Sequence, residues 1–238
     1  MVPLLDAPAV PCELGANEPL GFVFPIYGWS LPDIVRTFLQ RLRIEGYNHQ
    51  YVYFAVTCGD DVGVADRPIR RVLADAGLHL DAGYSVCMPD SYVCLPGFDV
   101  DKPDEREEKY SAFGPRVKEI AEQVKRRAVV MDIKRGRFPW LKTNVLGWYF
   151  RKYLITDKPF RTTDDCIGCG KCVSVCPLHN ITLEGQESRV KGQEFNIQWH
   201  GHCTGCLSCY HHCPTRSIRF GKRTEKKGQY LYPERRQL

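Results

Sequence analysis

The 238-residue sequence contains no apolar run of membrane-spanning length, and Met1–Val10 lacks a basic stretch followed by an apolar one. Neither a transmembrane helix nor a secretory signal peptide is therefore expected. An excess of charge of one sign is missing too. The 33 Lys/Arg against 28 Asp/Glu leave a formal +5, which excludes a disordered acidic tail protein. No nucleic-acid reading motif accompanies the basic segments Lys222–Lys227 and Arg235-Arg236, which read as solvated tail. Nor does any general acid–base constellation identify a substrate. With no secreted context, a disulfide framework for the 12 cysteines is excluded as well. What is present is 43% hydrophobic residues, enough to build a core in one large domain or two ordinary ones.

The cysteines are unevenly placed. Eight lie in the 48 residues from Cys166 to Cys213, whereas Cys12, Cys58, Cys87 and Cys94 are scattered. Clustered cysteines outside an oxidising compartment read as metal ligands. Charge divides the chain in the same way. Residues 1–110 carry 9 basic and 17 acidic side chains, a net of −8, and residues 111–238 carry 24 and 11, a net of +13. Two modules are expected.

In the first module, Gly21–Ile26 and Gln50–Thr57 read as buried strands, and a third strand falls near Leu80–Met88. A helix opening at Pro32 and running to about Glu45 is predicted by Ile34, Val35, Phe38, Leu39 and Leu42. A second helix is predicted over Ala65–Ala76, ended by Gly77. Strand–helix alternation implies a parallel sheet covered by helices. Pro89–Asp101 reads as a long loop. Asp104–Lys109 and Pro115–Arg127 read as helical pieces broken at Gly114-Pro115, the second burying Val117, Ile120, Ala121 and Val124. Residues 131–160 are basic and aromatic and read as a linker with a short helix near Val145–Leu154. The expected domains are 1–130, the linker 131–160, a cysteine domain 161–222 and a basic tail 223–238.

Cys166-x2-Cys169-x2-Cys172-x3-Cys176-Pro177 and Cys203-x2-Cys206-x2-Cys209-x3-Cys213-Pro214 are two copies of one pattern. The pattern resembles that of bacterial two-cluster ferredoxins, in which each run's fourth cysteine ligates the other cluster. The resemblance implies one [4Fe–4S] cluster on Cys166, Cys169, Cys172 and Cys213, and another on Cys203, Cys206, Cys209 and Cys176. Three closely spaced thiolates can wrap one cubane, and the proline biases the chain toward an extended course that redirects the fourth. Gly168, Gly170 and Gly205 permit close backbone approach. Structural zinc fits poorly, because it takes paired C-x2–4-C knuckles. His202, His211 and His212 adjoin the ligands and are expected beside the clusters or at the surface. Ile181–Ile197, between the runs, is expected to form a hairpin or loop.

Phe24-Pro25-Ile26-Tyr27-Gly28-Trp29, Thr57-Cys58-Gly59 and Met88-Pro89-Asp90 at three strand ends resemble the flavodoxin-like domain of bacterial flavodoxin–ferredoxin fusion proteins. The resemblance implies an α/β flavodoxin-like parallel sheet joined to a small α+β ferredoxin-like domain. It also implies FMN at the carboxyl ends of the strands, with Tyr27, Gly28 and Trp29 in one flavin loop and Thr57, Cys58 and Gly59 in the other. Packing at a strand end is the alternative for Tyr27 and Trp29. The family's Ser/Thr-Gly-Asn-Thr phosphate loop is absent from the sequence, and Met1–Leu5 looks like the family's second strand. The first strand and phosphate loop are expected to be missing, so FMN is expected only in a longer form. Cys58 is expected to be unreactive, and Cys12, Cys87 and Cys94 to be isolated.

The leading expectation is an electron carrier with two [4Fe–4S] clusters, exchanging electrons with FMN in a full-length form and with a redox partner protein. A flavin-dependent reductase and a flavin-free ferredoxin with an α/β docking platform are the alternatives. Low-potential clusters call for a reducing compartment, so a cytoplasmic location is expected.

Overall fold

The computed structural model describes residues 12–184 and 195–232. The chain folds as two compact units, Met1–Pro89 with Pro103–Leu154 and Asp90–Lys102 with Ile155–Leu238. Residues 90–102 therefore group with the cysteine-rich unit, and residues 131–154 with the first.

The first unit runs β1 (Cys12–Glu13), β2 (Leu20–Pro25), α1 (Asp33–Arg41), β3 (Ile44–Glu45), β4 (Val52–Cys58), α2 (Asp66–Asp75), β5 (Ala82–Cys87), α3 (Pro103–Lys125) and β6 (Met131–Asp132). It ends in α4 (Pro139–Leu141), a π-helical turn (Lys142–Leu146) and α5 (Gly147–Tyr153). The main sheet has the order β2-β4-β5-β6, and every pairing is parallel. Alternation along β4 sends Val52, Phe54, Val56 and Cys58 to a core shared with Val35 and Leu39 of α1 and Ile69, Val72 and Leu73 of α2. The opposite face gathers Tyr51, Ala82, Tyr84 and Val86 around Ile120 of α3. Helices thus cover both faces, as a parallel sheet requires.

Several elements differ from the sequence reading. Helix α1 stops at Arg41 rather than Glu45, and Pro32 is its N-cap rather than its first residue. Leu42 turns extended, and Ile44 joins Leu42 and Tyr47 against the core in place of the next helical turn. The proposed break at Gly114-Pro115 does not occur, because α3 is one 23-residue helix with Pro115 inside. An interior proline costs about 3 kcal/mol or more. The helix is held on both sides of it by Phe113 and Ile120 in the core, and by Arg116. That guanidinium donates to Ser85 O (3.2 Å), Asp132 O (2.9 Å) and Asp132 Oδ2 (2.7 Å). Val117 and Ala121 are exposed, so the buried face is Phe113, Ile120 and Val124. Met131–Asp132 is a sheet strand rather than linker, paired with Gly83 and Tyr84. The predicted Met1–Leu5 strand lies outside the described residues.

The second unit comprises β7 (Phe160–Thr162), α6 (Lys171–Ser174), β8 (Ile181–Glu184), β9 (Asn196–Trp199), α7 (Ser208–His211) and β10 (Ile218–Phe220). Two antiparallel pairs, β7 with β10 and β8 with β9, flank the cysteine runs. The β8–β9 pairing bears the hairpin expected for Ile181–Ile197, whose middle, 185–194, lies outside the described residues. The loop at 90–102 contributes Val93 and Cys94, both fully enclosed, to a core with Phe160, Ile181, Leu207, Tyr210 and Ile218.

Candidate metal centres

Each cysteine run ends in a short helix entered through a left-handed residue. Gly170 (φ 68°) precedes α6, and Leu207 (φ 58°) precedes α7 at the corresponding place in the second run. Glycine adopts that conformation at little cost, while leucine adopts it at a steric cost. Leu207 is buried in the core, and that burial offsets the strain. Gly168 (φ +61°) is required in a second way, since a Cβ there would collide with the Phe195 ring.

The two runs interlock. Cys166, Cys169 and Cys172 line one hollow, and the fourth cysteine on its wall is Cys213 from the other run. Cys203, Cys206 and Cys209 line a second hollow together with Cys176. Among the described residues no three His, Cys, Asp or Glu side chains converge as a single-ion site. The thiols surround a volume instead.

Backbone amides serve the sulfurs, as the glycine-rich spacing suggests. Asn180 N donates to Cys176 Sγ, Gly205 N to Cys203 Sγ and Ser217 N to Cys213 Sγ, each at 3.3 Å. Burial pushes the Cys172 and Cys203 thiols up to about 11 and raises Cys206 and Cys209 as well. Iron must displace those protons, so metal uptake is linked to pH. At Cys213 burial also acts upward, but hydrogen bonds from Ser217 and Ile218 outweigh it and lower the thiol.

Trp199 supplies an independent test of fit. Its Nε1 is buried and faces the Cys209 sulfur, acting to lower that thiol against the larger upward effect of burial, and Trp199 lines the hollow of Cys203, Cys206, Cys209 and Cys176. An indole N–H directed at a cysteine sulfur is the kind of donor that orients and tunes an iron–sulfur ligand. The residues present therefore fit an iron–sulfur group.

A network that the sequence reading missed positions the second hollow. Asp157 is buried, and its Oδ2 accepts from Asn180 Nδ2 (2.9 Å) and Gly201 N (2.7 Å). Asn180 Oδ1 in turn accepts from His202 N (2.7 Å). No residue type pattern marks this triad, whose members span 44 positions between Asp157 and Gly201.

The histidines are placed apart from ligation. Tyr230 N donates to His211 Nδ1 (3.1 Å), so its proton sits on Nε2, which donates to Ser91 O (2.7 Å). Burial lowers the pKa of this ring. His212 Nδ1 faces Ser208 O at 2.9 Å, and His202 is exposed.

In the first unit the two suggested flavin loops end adjacent strands, with Pro25 opposite Thr57. Tyr27 and Ser30 exchange backbone hydrogen bonds of 2.9 and 3.2 Å around Gly28 (φ 52°) and Trp29 (φ 56°). The helical segment at 139–153 covers this turn. A Cβ on Gly28 would strike the Phe150 ring, Arg151 Nη1 donates to Gly28 O (3.0 Å), and Lys142 Nζ lies 5.8 Å from the Trp29 ring centroid. Gly59 O accepts from Lys109 Nζ (2.8 Å), and Cys58 is buried. Lys142 also pairs with the buried Asp61. Gly28, Trp29 and Gly59 thus meet side chains of their own unit, and no phosphate cradle joins them among the described residues. This arrangement does not fit a flavin.

Two interlocked four-thiol hollows define a 4Fe–4S dicluster domain. Residues 165–217 match the family model described as a 4Fe-4S dicluster domain, and the chain carries two [4Fe–4S] clusters. The iron–sulfur subunit of formate dehydrogenase from Haemophilus influenzae is 32% identical over 83 residues. That alignment covers 31% of this chain and 22% of the relative, so the chain spans under a quarter of that protein's length. No solved structure matches. The second unit is thus an iron–sulfur electron-transfer domain, and the first is an N-terminal parallel α/β sheet.

Proposed function

We propose that the protein is an electron-transfer component of an oxidoreductase system. One cluster sits on Cys166, Cys169, Cys172 and Cys213, and the other on Cys203, Cys206, Cys209 and Cys176. The observation that carries this reading is the crossing of the fourth cysteines, one into each hollow. Clusters ligated this way pass single electrons. Two of them in one small unit form a relay between a donor and an acceptor, and the similarity to a formate dehydrogenase subunit supports an oxidoreductase as the partner protein. The surplus of 24 basic over 11 acidic residues in 111–238 favours an acidic docking face on that partner. Low-potential clusters favour a reducing cytoplasm as the setting.

Anaerobic reconstitution with iron and sulfide is expected to give about eight irons per chain and two interacting paramagnets on reduction. Zinc retained in place of iron overturns the reading.

For the first unit, a flavin-free role as an α/β platform is favoured over FMN exchange or a flavin-dependent reductase. The cover that Phe150, Arg151 and Lys142 place on the Tyr27–Trp29 turn supports it. A platform leaves FMN fluorescence unquenched on titration with the protein. Stoichiometric quenching reverses the order of the two readings.

A further inference from the structure

Cys58 and Cys87 are not isolated, contrary to what their 29-residue separation in sequence suggests. They are the last residues of β4 and β5, and they stand directly opposite one another in the parallel register. Their sulfurs are 3.9 Å apart. Adjacent strands lie about 4.8 Å apart, within the backbone separation that a disulfide spans.

The two thiols have unequal surroundings. Cys58 is buried, and it can donate to Cys87 Sγ or to Val86 O (3.8 Å). Cys87 is partly exposed, and as a thiol it donates to Asp60 O at 3.2 Å. Around them stand Lys109, whose Nζ is 2.8 Å from Gly59 O, and Lys134, whose Nζ is 3.2 Å from Asp60 Oδ1. Asp60 and Asp61 oppose those cations. The hydrogen bond from Cys58 comes first, and with Lys134 and Lys109 it lowers Cys87 to about 6 against the effects of burial and Asp60. The same hydrogen bond and burial push Cys58 upward. An accessible thiolate beside a protonated, buried partner is the arrangement that thiol–disulfide exchange requires. The site also lies at the carboxyl ends of parallel strands, where doubly wound sheets place their chemistry.

We propose that Cys58 and Cys87 form a redox-active dithiol that exchanges electrons with low-molecular-weight disulfides, Cys87 attacking and Cys58 resolving. The Cys87 thiolate attacks one sulfur of R–S–S–R. The bond from that sulfur to its neighbour breaks, RS⁻ leaves, and Cys87–S–S–R remains. Cys58 then loses its proton to solvent and attacks Cys87 Sγ, releasing the second RS⁻ and forming the Cys58–Cys87 disulfide. The pair is oxidised by two electrons, and the substrate disulfide is reduced to two thiols. This site is independent of the cluster assignment above.

The test uses the full chain reconstituted anaerobically and equilibrated in glutathione buffers, followed by acid quench, alkylation and peptide mapping. The expected result is a linked Cys58–Cys87 peptide pair that titrates as a two-electron couple. Its absence at the oxidising end overturns the proposal, and this titration needs no variant. At pH 6 the first mixed disulfide should form at Cys87 faster than on N-acetylcysteine, because a lowered thiol carries more thiolate there than it loses in nucleophilicity. A rate no faster than that reference, or glutathione on Cys12 or Cys94 with Cys87 unmodified, counts against it. Cys58→Ser keeps a hydrogen-bond donor and should trap one glutathione on Cys87, while Cys87→Ser should leave Cys58 unmodified. Failure of the iron count leaves this outcome untouched, and the reverse also holds.

Discussion

The cysteine-rich unit and the α/β unit are specified in different ways. In the first, eight ligands occupy two short runs whose spacing repeats, and the hollows follow from the spacing plus one exchange of cysteines. In the second, the chemistry-bearing pair stands on two strands that only the sheet brings together. A local motif declares its chemistry in sequence. A site built by strand pairing stays hidden until the pairing is known.

Exchange of ligands between the runs gives the largest test of that contrast. Cys213→Ser should remove or degrade the cluster of Cys166, Cys169 and Cys172 and spare the one whose three-cysteine run lies beside it in sequence. Cys176→Ser should do the converse. Iron analysis and electron paramagnetic resonance of the reduced variants should show loss of up to half the iron, about four atoms, with a different signal missing in each. Loss of the same signal from both variants would break the crossed assignment.

The α/β unit should respond to packing rather than to ligands. Phe54 is enclosed by α1 and α2, and Phe54→Ala is expected to cost about 3–5 kcal/mol, read as a fall in denaturant midpoint. A smaller effect is expected from Asp157→Ala, which strands Asn180 Nδ2 and Gly201 N. About 3 kcal/mol is expected from losing bonds to a buried charged group. The signature is faster loss of the cluster on Cys203, Cys206, Cys209 and Cys176 than of the other, followed by visible absorbance under a chelator.

Val93→Ala tests the boundary between the two regions. The sequence places Val93 in a loop of the first domain, yet it is wholly buried with Phe160 and Ile218. A loss of about 2 kcal/mol from the cluster-bearing unit is expected in chemical denaturation, against none if the loop is an exposed connector. The smallest effect concerns Trp199→Phe. Removing an N–H from the Cys209 ligand sulfur disfavours the reduced, more negative state. The midpoint potential of the Cys203 cluster should fall while the other stays fixed, measured by redox titration.

Legibility varied from residue to residue, and the pattern has physical causes. The repeat was readable because cluster ligation fixes short spacings. Gly170, expected to permit close backbone approach, is the left-handed residue before the helix of the first run. In the second it is hidden as Leu207, whose burial lets a leucine hold a glycine's conformation. Helix α1 followed from apolar periodicity, and α2 from its position between two strands and its end at Gly77. Pro115 misled, since a local helix breaker was overridden by Phe113, Ile120 and Arg116 on either side. The Asp157–Asn180 network could not be read from the chain, because neither residue type nor spacing marks a buried carboxylate that joins distant amides.

The sequence by itself determined that this protein has two modules, a parallel α/β sheet and a dicluster domain, and that eight of its cysteines fall in two repeated runs. Those features depend on periods and spacings of a few residues, which are present in the chain before it folds. Only the tertiary structure decided that residues 90–102 complete the core of the cluster-bearing unit, that Trp199 turns its N–H toward Cys209 at one hollow, and that Cys58 faces Cys87. Each depends on which distant segments pack together. Burial and strand pairing set that, and no local pattern encodes it.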